Sequence, residues 1–287
     1  MAKVRERLRW YWQMTKSLQT ALLLTTGIAG YYSARAGLHG PPGQVLGLVL
    51  SLYLAIAGST VLNMWYDRDI DARMYRTCWR PLPAGRVSPR EALGLGLLLT
   101  VSGVGLAVAL APLYGLVVFA GWFLDVVVYT VWLKRRTPWS IVWGGLSGGM
   151  PVLAGRTLAV GRIDLIGVLL ALAVLFWIPT HIVTFALRYD EDYRRAGVPT
   201  VPIVYGPRFA YATIAVAAVL AAGTIIAAAW LIGLTAGVLE TLVVLSVALA
   251  WLAFTCATRP TPKRNFLLFK FASLYMLFTM ALIAWGA

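Results

Sequence analysis

Nine stretches of about twenty residues, each nearly free of charge, dominate this chain of 287 residues. At a rise of 1.5 Å per residue such a stretch crosses the hydrocarbon core of a bilayer as an α-helix, with its backbone N–H and C=O groups satisfied internally. The stretches lie at roughly 17–36, 43–66, 92–111, 113–133, 139–157, 163–187, 209–230, 235–256 and 266–286. The predicted fold is all-α: one integral-membrane domain over 1–287, a polytopic bundle of nine transmembrane helices. A basic segment, 1–16, precedes it. Lys3, Arg5, Arg7 and Arg9 resemble the start of a signal peptide. The apolar stretch after them is nevertheless a full span, and Ala34-Arg35-Ala36 matches a cleavage site weakly, which predicts a retained first helix.

A formal net charge of +14 raises the question of nucleic acid, and its distribution answers it. With the N-terminus inside, 21 of the 25 Lys and Arg residues fall in cytoplasmic segments. Only Arg35, Arg156 and Arg162 fall outside, and Lys270 lies within the last span. That is the positive-inside asymmetry, so the charge is explained by topology and by anionic headgroups, with no nucleic acid. The expected location is a prokaryotic plasma membrane. Cys78 and Cys256 have no metal spacing and lie toward the reducing side, where a structural disulfide is not expected.

Turn chemistry marks the longer cytoplasmic connections. Arg80-Pro81-Leu82-Pro83-Ala84-Gly85 cannot continue a helix. Ser88-Pro89-Arg90-Glu91 reads as a capping box opening the third span, and Thr137-Pro138 is expected to open the fifth in the same manner. In the fifth span, Gly144, Gly145, Gly148 and Gly149 read as small-residue helix packing, or as room for a flat ligand beside the backbone.

Acidic residues are scarce, and six of the eleven lie in two clusters on the cytoplasmic side. Asn63, Asp67 and Asp71 recur every four residues at the end of the second span and form one stripe, its two carboxylates about 6 Å apart along the axis. Mg²⁺ binds through one or two carboxylates plus substrate phosphate oxygens, so such a stripe suits a diphosphate whose hydrocarbon tail lies between helices. Asp69 points away and is expected to pair with Arg68, Arg73 or the lipid surface. The second cluster is Asp190-Glu191-Asp192-Tyr193, after the sixth span. Lys134, Arg135 and Arg136 at the end of the fourth span are placed to neutralise a departing pyrophosphate. Each charge alone also reads as a topology anchor or a solvated helix end. Asp125 and Lys270 are intramembrane charges, and read as functional, as a mutual pair, or as groups reaching an interface.

These residues resemble a known family. Asn63 to Asp71, with Arg76-Thr77 and Arg80 to Arg86, resembles the first Asp-rich motif of the UbiA superfamily of intramembrane prenyltransferases, and most closely its haem O synthase branch. Tyr129-Thr130, Leu133 to Pro138, and Trp177 through Tyr193 followed by Ala196-Gly197-Val198-Pro199 extend the match over roughly 15–208. His181, Asp192 and Tyr193 align with the branch pattern without gaps, whereas Ile182-Val183, Asp190 and Thr200-Val201 depart from it. The resemblance implies a bundle with a central cavity open to lipid and an active site on the cytoplasmic side. It implies Mg²⁺ held by Asp67, Asp71 and Asp192, with Asn63 and His181 completing the catalytic set. Arg76, Arg80, Lys134, Arg135, Tyr129, Glu191 and Tyr193 would bind substrate. The implied reaction is transfer of a farnesyl group from farnesyl diphosphate to a vinyl group of haem b, giving haem O, with haem A synthase as an expected partner. Two readings compete: a UbiA-type enzyme acting on an aromatic or quinone-precursor acceptor, and a transporter, which would not call for two acidic clusters on one side.

Overall fold

The computed structural model describes residues 2–34 and 40–287. Arg35, which the sequence reading placed on the external side, lies outside the described residues. Within them the chain is helical, without strands. Helix α1 (Ala2–Met14) leads into α2 (Ser17–Tyr32) and α3 (Pro42–Tyr66), followed by the short α4 (Arg68–Asp71). Turns then lead to α5 (Pro89–Leu110) and α6 (Pro112–Trp122), which runs directly into a π-helical segment, Phe123–Leu133. The remainder is α7 (Ser140–Val160), α8 (Leu165–Arg188), α9 (Asp190–Ala196), α10 (Val201–Ile232), α11 (Ala236–Thr258) and α12 (Pro262–Gly286).

Seven of these segments are long and apolar enough to cross a membrane: α3, α5, α6 with the π segment, α8, α10, α11 and α12. Helices also occupy the first and fifth predicted spans, but neither joins the seven. The described part of α2 has 16 residues, and α7 is diluted by five glycines, Pro151 and Arg156. One predicted cap closes only in part, and two predicted helix starts shift. Ser88 caps α5 by accepting the Glu91 N–H at 3.2 Å, but the Glu91 carboxylate goes to the Tyr11 hydroxyl, so the box closes on one side only. Thr137 accepts the Trp139 N–H at 3.3 Å, and α7 starts later than predicted, at Ser140. The last helix starts earlier, at Pro262, because Thr261 accepts the Arg264 N–H.

The glycines of α7 serve helix packing. A Cβ on Gly149 would meet the Ala171 carbonyl of α8 at 2.6 Å, and one on Gly148 would meet the Ile178 side chain at 2.5 Å. On the opposite side α7 touches α2, where a Cβ on Gly155 would stand 1.9 Å from the Gly27 oxygen. Backbone cannot give way as a flexible side chain does. Gly155→Ala is therefore expected to lower the yield of monodisperse, detergent-extracted protein several-fold, and Gly105→Ala, where a Cβ meets nothing, to leave it unchanged. Equal yields of the two variants would contradict this close approach.

Two apolar clusters shape the end of the bundle that carries the acidic motifs. Met14 packs with Val61, Met64, Leu82, Val87 and Ala92, seating α1 over the end of α3. Ile70 and Met74 pack with Ala196 and Val198, against which Tyr193 lies, bringing the turns after α4 onto α9.

Candidate active site

Helix α3 ends at Tyr66, and the backbone bends at Asp67 (φ −85°, ψ 4°) before α4 takes one more turn. The i→i−4 bonds run through the bend, Asp67 N–H to Asn63 O at 2.9 Å and Asp71 N–H to Asp67 O at 2.8 Å. The predicted stripe therefore survives, and both carboxylates are buried, with Asp67 4% and Asp71 5% exposed. A buried carboxylate requires a partner. The Lys134 ammonium donates to Asp67 Oδ2, and Arg80 Nη1 donates to Asp71 Oδ2 at 2.7 Å. Burial works against the Lys134 charge, but the adjacent Asp67 carboxylate outweighs it and holds that ammonium above the ordinary lysine range.

Asp69 faces the other way, as its spacing predicts, but its partner is not the predicted one. Arg135 grips it in a fork of 2.6 and 2.8 Å, and the hydrogen bond holds the Asp69 carboxyl below its usual range. Arg68 and Arg73 are not involved. Arg135 also donates to the Tyr66 carbonyl and stands 3.8 Å from Asp67 Oδ1. It thus ties the end of the π segment to the end of α3.

Asn63 is turned inward. Its Nδ2 donates to Asp125 Oδ2 at 2.8 Å, and its Oδ1 accepts from Thr130 Oγ1 at 2.9 Å. Ser59, one turn earlier, also donates to Asp125. Asp125 therefore pairs with α3 and not with Lys270. Both partners of Asn63 depend on the π segment, whose wide turns set Asp125, Tyr129 and Thr130 in a register that regular α-helix would not give. The Tyr129 ring lies below Lys134, 5.7 Å from its Nζ, and against Gly144, where a Cβ would come within 3.2 Å of the ring.

The second motif divides. Asp192, 6% exposed, accepts the backbone N–H groups of Tyr75 at 3.0 Å and Arg76 at 3.3 Å, so it locks the first loop in place. Arg76 lies over the rings of Phe185 and Tyr189 at 4.8 and 5.4 Å, with its Nε buried and unpaired. Glu191 is not brought to the site: its side chain is 84% exposed and bonded to Arg195 one turn on. Asp190 is occupied likewise by Arg194. Tyr193 packs into the apolar cluster beneath the loop. His181 lies deeper in α8, between the rings of Trp177 and Phe269 at 4.9 and 4.6 Å.

Lys16 belongs to this site, although the sequence reading treated it as a topology charge. It is the one non-glycine residue with positive φ (46°) among the described residues, at the start of α2. Burial first, then the nearby charges of Arg80 and Lys134, bring its ammonium down to about 8 against the pull of Asp71 and Asp125. Three segments thus bring Lys16, Arg80, and the adjacent Lys134 and Arg135 around Asp67 and Asp71. Sequence spacing gives no signal for Lys16, because its placement depends on α1 folding over α3.

The donor set suits a hard cation that arrives with its own phosphate oxygens. Asp67 Oδ1 is buried and accepts no hydrogen bond. No group of three or more His, Cys, Asp or Glu side chains gathers among the described residues, and Mg²⁺ does not require one when substrate oxygens complete its shell.

The chain is similar to known proteins over most of its length. A family model described as the UbiA prenyltransferase family matches residues 22–278. A protoheme IX farnesyltransferase of Archaeoglobus fulgidus is 45% identical over 201 residues, 70% of each chain. One from Desulforudis audaxviator is 38% identical over 278 residues, 95% of this chain and 86% of its own. Among solved structures, a digeranylgeranylglyceryl phosphate synthase superposes with a TM-score of 0.81 at 19% identity, over 98% of both chains. A UbiA homolog from Archaeoglobus fulgidus bound to GPP and Mg²⁺ superposes with a TM-score of 0.73 at 16% identity, over 96% of this chain and 99% of its own.

Proposed function

The chain belongs to the UbiA prenyltransferase family, and we propose that it transfers a farnesyl group from farnesyl diphosphate to a vinyl group of haem b, giving haem O. It is an integral, multi-pass membrane protein. The observation that carries the reaction type is the meeting of two acidic motifs from distant parts of the chain, with Asp192 holding the loop that follows Asp67 and Asp71. The acceptor rests on the relatives named protoheme IX farnesyltransferase, which favour haem over an aromatic or quinone-precursor acceptor. The charge asymmetry supports an N-terminus and both motifs on the cytoplasmic side; nine spans around a central cavity, in a prokaryotic plasma membrane, complete the reading. A haem A synthase is the partner that would take the product on.

Asp67 Oδ1 and Asp71 would hold Mg²⁺, with Asp192 fixing the loop beside it rather than joining them, and the ion would supply positive charge to the bound diphosphate. Lys134 and Arg80, paired with carboxylates in the free protein, are within reach to turn toward the diphosphate as it binds. Ionisation breaks the bond between the allylic carbon and the diphosphate oxygen, which keeps the electron pair. The fixed cations stabilise the charge that develops there. The π face of Tyr129 lies directly below, where an aromatic ring stabilises a carbocation. The terminal carbon of the haem vinyl group then bonds to the allylic carbon. The cation left beside the porphyrin takes up water, which loses a proton and leaves a hydroxyl.

Purified protein with Mg²⁺ and farnesyl diphosphate is expected to release pyrophosphate in a haem-dependent manner. The product should exceed haem b in mass by one farnesyl and one hydroxyl group. Pyrophosphate release that ignores haem and responds to an aromatic acceptor would sink this assignment.

A further inference from the structure

A carboxylate inside a membrane-spanning segment is costly to keep, and one that persists there serves a site by default. Asp125 is such a group, in the π segment four residues before Tyr129. Its Oδ2 accepts two hydrogen bonds from α3, one from Ser59 Oγ and one from Asn63 Nδ2 at 2.8 Å. Its Oδ1 accepts none among the described residues, yet it is not sealed among protein atoms. No Lys or Arg among them forms an ion pair with it. A carboxylate oxygen without a donor cannot face hydrocarbon, so the space in front of Oδ1 is one that admits water.

The hydrogen bonds around it favour the charged form. Thr130 Oγ1 donates to Asn63 Oδ1 at 2.9 Å, which turns the amide nitrogen toward Asp125. Ser59 spends its only proton in the same direction. Two donors converging on Oδ2 hold the group as a carboxylate, with Oδ1 open to take a proton. Depth places it near the reaction. Ser59, Asn63 and Asp67 follow one another along α3 in steps of about 6 Å. Asp125 bridges the first two, so it lies one to two turns below the carboxylates that face the diphosphate. Its charge acts on Lys16, as that of Asp71 does. At that depth lie the first carbons of a prenyl chain whose diphosphate sits at Asp67 and Asp71, and any carbon newly bonded to them.

The geometry points to Asp125 as the general base of the last step, the residue that orients the quenching water and takes its proton. This rests on the acceptor being a haem vinyl group. The water oxygen bonds to the cationic carbon beside the porphyrin, and one O–H bond breaks with its electron pair left on oxygen. The proton passes to Asp125 Oδ1 and returns to solvent when the product leaves. The same cation has a second exit that needs no water. The adjacent CH₂, newly bonded to the prenyl chain, loses a proton, and the electron pair of that C–H bond closes a C=C bond. The product is then smaller by one water, so the ratio of the two products reports on the base.

Asp125→Asn separates this role from that of a pin between α3 and the π segment. Its amide oxygen still accepts from Ser59 and Asn63, but its other arm is an NH₂ donor that takes no proton. Purified full-length protein is supplied with Mg²⁺, farnesyl diphosphate and haem b, and the products are separated by mass. Asp125→Asn should form the hydroxylated product roughly 100-fold more slowly than wild type. Pyrophosphate release should stay within a few-fold, so the product lighter by one water becomes the main species. Asp125→Glu, which keeps the charge, should restore the hydroxylated product as the main one. The ratio is read on whatever product forms, so a lower protein yield leaves it intact. A wild-type ratio in Asp125→Asn, or a ratio that shifts equally in Asp125→Glu, would overturn the base. So would a shift seen in His181→Gln and not in Asp125→Asn, which would pass the role to the imidazole of α8. A wild type that prenylates no haem would overturn the acceptor assignment itself, and this role with it.

Discussion

Asp67→Asn is expected to lower prenyl transfer by roughly 100-fold or more, and Asp71→Asn by a similar factor, the usual scale for removing a group aimed at developing charge. Asp69→Asn should stay within a few-fold of wild type. Three aspartates within five residues are thus separated by orientation alone. Asp67 and Asp71 are buried and face Lys134 and Arg80, whereas Asp69 is half exposed and faces Arg135. A structural explanation for the Asp67 loss is available, because the change leaves the Lys134 ammonium buried without its carboxylate. The double variant Asp67→Asn with Lys134→Met separates the two. It should recover the thermal stability of detergent-solubilised protein and remain inactive, since both the cation-binding oxygen and the pyrophosphate partner are gone. Equal losses from all three aspartate variants in folded protein, or recovery of turnover in the double variant, would contradict the geometry.

What could be read in advance was what depends on local periodicity. Apolar runs announce helices because a bilayer leaves the backbone no other way to bond, and helices occupy each predicted stretch. Asp67 and Asp71 were legible because a spacing of four survives even the bend between α3 and α4. Most of the differences depend on contacts distant in sequence. Asp69 found Arg135 because the π segment ends beside Tyr66. Glu91 left its capping box because α1 brings Tyr11 within reach. Glu191 looked like half of an acidic pair, but on the short α9 its turn carries it outward to Arg195. Periodicity leaves Asp125 open, because the partner of an intramembrane carboxylate depends on a helical register that only the packed bundle sets.

Lys16→Met is expected to reduce turnover by roughly 100-fold, although every sequence argument assigned this residue to topology. The site contains carboxylate partners for only two of its inner cations: Asp67 takes Lys134 and Asp71 takes Arg80. Lys16 forms no ion pair among the described residues. Its backbone is also held left-handed at φ 46°, ψ 56°, a conformation that costs a lysine about 1–2 kcal/mol and a glycine almost nothing. A residue that served only to turn the chain from α1 into α2 would therefore be better as glycine. That conflict permits a clean separation. Lys16→Gly should match or exceed wild type in thermal stability and still lose activity, whereas Lys16→Arg, strained but charged, should retain a substantial part of it. Turnover near the wild-type level in Lys16→Gly would show that the strain at this position serves the fold alone, and would remove Lys16 from the site.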